Sequence, residues 1–172
     1  YSNYCEWLLT TERFFIGDNT TLAFWHYYDT EENYDGGNVK ISNTNGITWD
    51  IIEPVGGYPT ASIIDNTGNA AVGGEPGYTG DSQGWVYAEF DLAEYANEEI
   101  KLRWHFGSDQ GVIGYGWVID DVVVSGGTER SGLVHGTVSF DDAHDNLSDI
   151  WVHAGEYFVK ADETGEYSLY TT

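Results

Sequence analysis

Basic charge is what this chain most lacks: six lysines and arginines stand against 29 aspartates and glutamates, a formal net charge of −23. Such a surface repels phosphate, which excludes nucleic acid and anionic membrane as partners. Cys5 is the sole cysteine, so an intrachain disulfide is excluded. No histidine or basic residue adjoins it in sequence to lower its pKa, so it reads as a small hydrophobe rather than a nucleophile. Methionine is missing altogether, even at position 1, and no signal peptide is recognisable; both fit a processed, excised or partial chain. There is no run of about 18 apolar residues, so membrane insertion is not expected. Catalytic signatures are missing as well: no nucleophile elbow, His-Glu-x-x-His, phosphate loop or cysteine pair. His26, His105, His135, His144 and His153 are scattered. The acidic pairs Glu31-Glu32, Glu98-Glu99 and Asp141-Asp142 are what chance supplies in so acidic a chain. The expectation is therefore that the chain is not an enzyme.

Aromatic residues are abundant, 16% of the chain with seven Trp and 13 Tyr, and 22 glycines accompany only three prolines. Large rings suit a pleated, half-buried surface, and glycine at this level predicts tight turns between short strands. The apolar pattern has a period of two. Leu22, Phe24, His26 and Tyr28 alternate with Ala23, Trp25, Tyr27 and Asp29; Trp85 to Leu92 and Lys101 to Phe106 repeat the rhythm. Asn43-Thr44-Asn45-Gly46 predicts a hairpin turn, with Trp49, Ile51 and Ile52 returning from it. Leu92 to Glu99 reads as one helical turn between strands, and Asn66 to Asp81 as a long surface loop. These features predict an all-β fold, an antiparallel jelly-roll β-sandwich over residues 1–125. Residues 126–132 read as a polar, small-residue linker. Residues 133–172 restart the pattern in four short strands, too few residues to bury a sound core alone.

Four stretches carry a likeness to a known group. They are Leu22-Ala23-Phe24-Trp25-His26-Tyr27-Tyr28 running to Tyr34-Asp35-Gly36-Gly37-Asn38-Val39; Asn45-Gly46-Ile47-Thr48-Trp49; Gly84-Trp85 with Phe90-Asp91-Leu92; and Phe106-Gly107-Ser108-Asp109 running to Gly116-Trp117-Val118-Ile119-Asp120-Asp121-Val122. In order and spacing they resemble the MAM-like jelly-roll modules appended to secreted bacterial metallopeptidases of the immune inhibitor A type, and the related cleaved-adhesin domains of gingipains. Gly136-Thr137-Val138, Leu147, Ile150, Val152 and Asp162 to Leu169 look like the start of a carboxypeptidase-regulatory-like domain, roughly half of a small transthyretin-like sandwich.

Asp120 and Asp121 interrupt an apolar strand, where an unpaired carboxylate costs several kcal/mol. One of the two is expected to face the interior or a rim. Arg103, Lys101, backbone amides or a cation would then answer it. Calcium takes oxygen ligands, and Asp35, Asp109 and Asp81 lie in loops that can reach such a site. The resemblance implies calcium between such loops and the end of this strand. The metal-ligand candidates are therefore Asp120, Asp121, Asp35 and Asp109, with backbone amides as the competing answer. The tryptophans on alternating strands, Trp25, Trp49, Trp85, Trp104 and Trp117, are expected in the core, although exposed ones would stack on sugar rings. Two roles follow: an extracellular or cell-surface binding or adhesion module with a protein or glycan ligand, or a filament subunit that pairs with copies of itself through unsatisfied strand edges.

Overall fold

Period-two alternation becomes strands throughout. In a computed structural model, residues 1–65, 68–126, 132–138, 150–154 and 157–171 are described. The chain divides into two compact units, Tyr1–Thr128 and Glu129–Thr172.

The first unit contains β1 (Glu6–Thr10), β2 (Phe14–Phe15), β3 (Thr21–Asp29), β4 (Gly36–Ser42), β5 (Asp50–Ile52), β6 (Val86–Asp91), β7 (Glu99–Gly107) and β8 (Gly116–Ser125). One sheet has the order β1-β7-β4-β5, with β2 also pairing β7; the other has the order β6-β3-β8. Every pairing is antiparallel. The turn at Asn45 and Gly46, both at positive φ, joins β4 to β5 as the sequence predicts. From β3 onward every other connection crosses between the sheets. The only helical element among the described residues of this unit is the 3-10 turn Ala93–Tyr95.

The sandwich closes on rows that the alternation marks. Leu22, Phe24 and Tyr28 of β3 and Ala88 and Phe90 of β6 meet Val39 and Ile41 of β4 and Ile100, Leu102 and Trp104 of β7. Each large side chain so buried contributes about 1.5–3 kcal/mol. Phe24 stacks on Phe90 at 5.7 Å and meets Trp104 edge-on at 5.6 Å. His26 shares this inward row and is 1% exposed. Its Nδ1 accepts the Trp117 Nε1–H at 3.0 Å, and burial lowers its pKa to about 4. Gly37 is where β4 passes under Trp117; a Cβ there would meet that ring at 2.5 Å and the His105 carbonyl at 2.7 Å.

Three expectations are corrected. The excursion before β6 is not a surface loop over its described part, because Asn69, Val72 and Tyr78 are buried and Tyr78 joins the core; Asn66 and Thr67 lie outside the described residues. Trp25 and Trp85 are exposed rather than buried, because they fall on the outer parity of the three-stranded sheet. Neither Asp120 nor Asp121 faces the interior. A β-bulge sets two residues of β8 against the single Phe24, between the pairs Ala23↔Val123 and Trp25↔Asp120. Asp121 adopts φ 49° there, and both carboxylates turn to solvent.

In the second unit β9 (Gly132–Thr137) pairs with β12 (Glu166–Thr171), and β10 (Trp151–Ala154) with β11 (Tyr157–Lys160), all antiparallel. Val152 and Val159, a cross-strand pair, are half-buried, while Trp151 and Phe158 are exposed and meet edge-on at 5.4 Å. Asp162 organises the turn into β12: its Oδ1 accepts N–H bonds from Thr164 at 2.8 Å and Glu166 at 2.9 Å. The Thr164 hydroxyl and these amides hold its pKa below the usual carboxylate range. The linker 127–131 and the acidic turn Asp141–Asp145 lie outside the described residues.

Stability should therefore fall with acid in a window set by His26. The unfolded chain protonates this imidazole near 6.5, whereas the folded chain resists until about 4. The contribution is intact above pH 6.5 and is lost as pH falls through that interval, a loss of about 2 kcal/mol between pH 7.5 and 5. Urea unfolding at both pH values should show this for the native chain and a flatter response for His26→Gln, which keeps an acceptor for Trp117. Parallel losses in the two proteins would contradict the assignment.

Candidate metal site

The antiparallel register of β4 on β7 builds the site. Gly36 pairs with Gly107, so the residue entering β4 and the residues leaving β7 come together at one end of the sheet. The residue entering β4 is Asp35, and those leaving β7 are Ser108 and Asp109. The β3–β4 connection is a single tight turn in which Tyr34 and Asp35 donate backbone N–H bonds to the Glu31 carbonyl at 3.1 and 3.0 Å. The Thr30 hydroxyl donates to the Asp35 carbonyl at 3.0 Å and locks the turn. One such turn brings Glu31 and Asp35, four residues apart, to the same side.

Glu31, Asp35 and Asp109 each offer a carboxylate oxygen, and these oxygens lie within 4.8 Å of one another. Asp35 is 1% exposed and Asp109 4%. Backbone and hydroxyl donors fix all three. Asp35 Oδ1 accepts the Asp109 N–H at 2.7 Å, and its Oδ2 accepts the Tyr1 hydroxyl at 2.6 Å. Asp109 Oδ1 accepts the Gly111 N–H at 2.6 Å in an Asx turn. Glu31 Oε2 accepts the Val112 N–H at 2.6 Å, tying the β3–β4 turn to the β7–β8 loop. Tyr1 is seated by its ring, edge-on to Phe106 at 5.1 Å.

No lysine, arginine or histidine among the described residues pairs with these three carboxylates. Burial raises the Asp35 pKa above the ordinary carboxylate value, against the lowering effect of its bonds from Tyr1 and Asp109; the charges of Asp109 and Glu31 raise it further. A cation bound among the three oxygens would reverse that balance, and the group is able to hold a metal ion.

Of the residues singled out in the sequence, Asp35 and Asp109 meet here. Asp120 and Asp121 do not belong to this group; they line a separate hollow with Trp25 and Trp85. Asp81 is exposed and caps its own turn, its Oδ1 accepting the Gln83 N–H at 2.7 Å. Arg103 lies over Trp49, 3.8 Å from the ring centroid, and answers none of these acids. Glu31, discounted as half of a chance acidic pair, is the member that sequence reasoning missed. Its spacing to Asp35 was the available signal, legible only once the turn is known. Neither His26, which is buried in the core, nor His105, which pairs with Glu6 at 2.9 Å, belongs to this group.

No protein-family model matches the chain. Over 126 residues it is 31% identical to the pre-pro-metalloprotease PrtV of Vibrio cholerae serotype O1, in strains M66-2 and ATCC 39315 / El Tor Inaba N16961 alike. That similarity takes in 72% of this chain but 12% of PrtV. Over 48 residues it is 38% identical to Bacillopeptidase F of Bacillus subtilis strain 168, which is 28% of this chain and 3% of that protein. The chain thus spans a small part of the length of the proteases it resembles.

The carboxylate cluster has a consequence for the metal-free protein. A carboxylate whose folded pKa is raised contributes stability below the unfolded value of 3.8 and loses it as pH rises through the folded pKa. At neutral pH in chelator, Asp109→Asn should therefore stabilise the fold by relieving the repulsion that the Asp109 charge exerts on Asp35. Asparagine keeps the acceptor for Gly111 and removes one charge. The gain should vanish below about pH 4, once Asp35, its pKa raised, has taken up its proton. Thermal melts in EDTA at the two pH values check this; a destabilised variant at neutral pH would show that repulsion does not govern the site.

Proposed function

We propose that the chain is a non-catalytic, extracellular β-sandwich module, an accessory part of a larger secreted or surface protein that serves binding or adhesion, with calcium as a structural ion. The observation that carries this reading is the gathering of Glu31, Asp35 and Asp109 at one end of the sandwich with no lysine, arginine or histidine paired to them among the described residues. Similarity to short stretches of two proteases, and the resemblance to MAM-like modules, support an accessory place in such a protein. Calcium suits the site because it is a hard cation that accepts carboxylate and carbonyl oxygens in flexible geometry. Its role there is to hold the β3–β4 turn against the β7–β8 loop, which fixes the rim of the sandwich.

A second reading, a filament subunit joined by strand addition, is favoured by β1. All five of its residues, Glu6-Trp7-Leu8-Leu9-Thr10, are exposed, and among the described residues only β7 pairs with it. Trp7, Leu8 and Leu9 border an apolar hollow of about 360 Å³ that Trp104, Phe106, Trp117 and Ile119 also line. An unprotected apolar edge is a template for a strand from another chain.

Calcium added to EDTA-treated protein at neutral pH should raise the melting temperature. At a hundredfold excess over Kd the stabilisation is about 2.7 kcal/mol. Glu31→Gln and Asp109→Asn should each blunt the response, and Asp120→Asn should leave it intact. No shift at saturating calcium removes the ion from this reading. Native mass spectrometry over a range of concentrations separates the two readings: a strict monomer removes the filament.

A further inference from the structure

Three aromatic side chains of a kind normally buried stand on the outer face of the β6-β3-β8 sheet: Trp25 is 43% exposed, Trp85 50% and Tyr87 53%. They form a group. In the sheet register Trp25 lies between Tyr87 on β6 and Asp120 on β8, and its ring meets that of Tyr87 edge-on at 5.6 Å. Trp85 immediately precedes β6, and with Trp25, Asp120 and Asp121 it lines a hollow of about 270 Å³.

The bulge gives this hollow its charge. With Asp121 at φ 49°, two consecutive carboxylates face solvent beside two indoles, and Asp120 Oδ1 accepts the Asp121 N–H at 2.8 Å. Neither acid has a basic partner among the described residues. The chain has only six lysines and arginines. Four of them are engaged elsewhere: Arg13 with Glu99, Lys40 with Glu75, Arg103 on Trp49 and Lys160 over Trp151.

We propose that this hollow binds a cationic side chain, an arginine above all, presented by a basic polypeptide partner. The negative faces of the indole rings attract a cation, and the carboxylates pair with it. A planar guanidinium satisfies both at once, stacking on a ring while its N–H fork meets carboxylate oxygens. A neutral sugar ring would use the aromatic faces but leave the two charges unanswered. The hollow lies below the roughly 300–1,000 Å³ of drug-sized ligand pockets, which suits one side chain of a longer partner. The net charge of −23 would steer a basic segment toward the chain. The proposal rests on the reading of the chain as a binding module and is independent of the metal site.

Calorimetry at about 150 mM salt, where distant charges are screened, tests it on the full chain with three probes. These are a capped peptide of four arginines alternating with glycines, the same peptide with citrulline in place of arginine, and cellopentaose. The arginine peptide should bind and its neutral counterpart should not. Trp85→Ala and Asp120→Asn should each weaken binding on the order of tenfold. Asp91→Asn, on the same sheet face but opposite Thr21, should change it little. Asp120→Asn keeps the acceptor for the Asp121 N–H, so it tests the charge without undoing the bulge. Equal binding of the citrulline peptide, or equal weakening by Asp91→Asn, overturns the proposal, as does no binding of the arginine peptide. Cellopentaose binding in its place also overturns it while leaving the binding-module reading standing.

Discussion

The nine residues of β3 carry the constraint on which the first unit depends. As the central strand of its sheet, β3 pairs with β6 on one side and β8 on the other. Its side chains must alternate between faces, so one parity sends Leu22, Phe24, His26 and Tyr28 into the core and the other sends Trp25 and Tyr27 outward. A slip of one residue would bury Trp25 and Tyr27 and expose Phe24, exchanging core and surface in one step. The same strand therefore fixes the packing of the sandwich and the aromatic group on its outside. The polar member of the inward row, His26, is accommodated because Trp117 supplies the donor that its buried nitrogen needs.

The acidic end of the sandwich follows from the register of the other sheet. Pairing Gly36 with Gly107 brings the ends of two loops together, and each loop is closed by its own local bonds before the acids meet. The result is electrostatically unfavourable alone, since three carboxylates face one another with Asp35 and Asp109 largely out of water. Hydrogen bonds from Tyr1 and three backbone amides hold the oxygens in place and offset part of that repulsion. A fold that keeps such an arrangement is poised for a cation, and the bonds across the two loops make the rim sensitive to whether one is bound.

Much of the fold was legible in the sequence because strand and turn signals are local. Leu22 to Tyr28, Lys101 to Phe106 and the turn at Asn45-Gly46 each announce their conformation within a few residues, and all three form as expected. Composition likewise pointed to an all-β fold with many tight turns. The all-β antiparallel sandwich and the grouping of Leu22, Phe24, His26 and Tyr28 on one face belong to what the sequence determined by itself. Asp35 and Asp109 could be singled out as loop acids, but nothing local says that they meet. That depends on the pairing of β4 with β7, from Gly36↔Gly107 to Ser42↔Lys101, between residues far apart in sequence. Glu31 joined them only through the tight turn closed by Thr30. Neither member of the pair expected at the interior or a rim turns inward: Asp120 lies opposite the outward Trp25, and a bulge adds one residue to β8 opposite Phe24, which a two-residue alternation read along one strand cannot reveal. Trp25 and Trp85 misled for a related reason: hydrophobicity marks a side chain as favouring burial, but only the neighbouring strands decide which parity has a sheet to pack against. Which acids converge and which aromatic rings face solvent were thus decided by the tertiary structure alone, because both depend on register between strands distant in sequence.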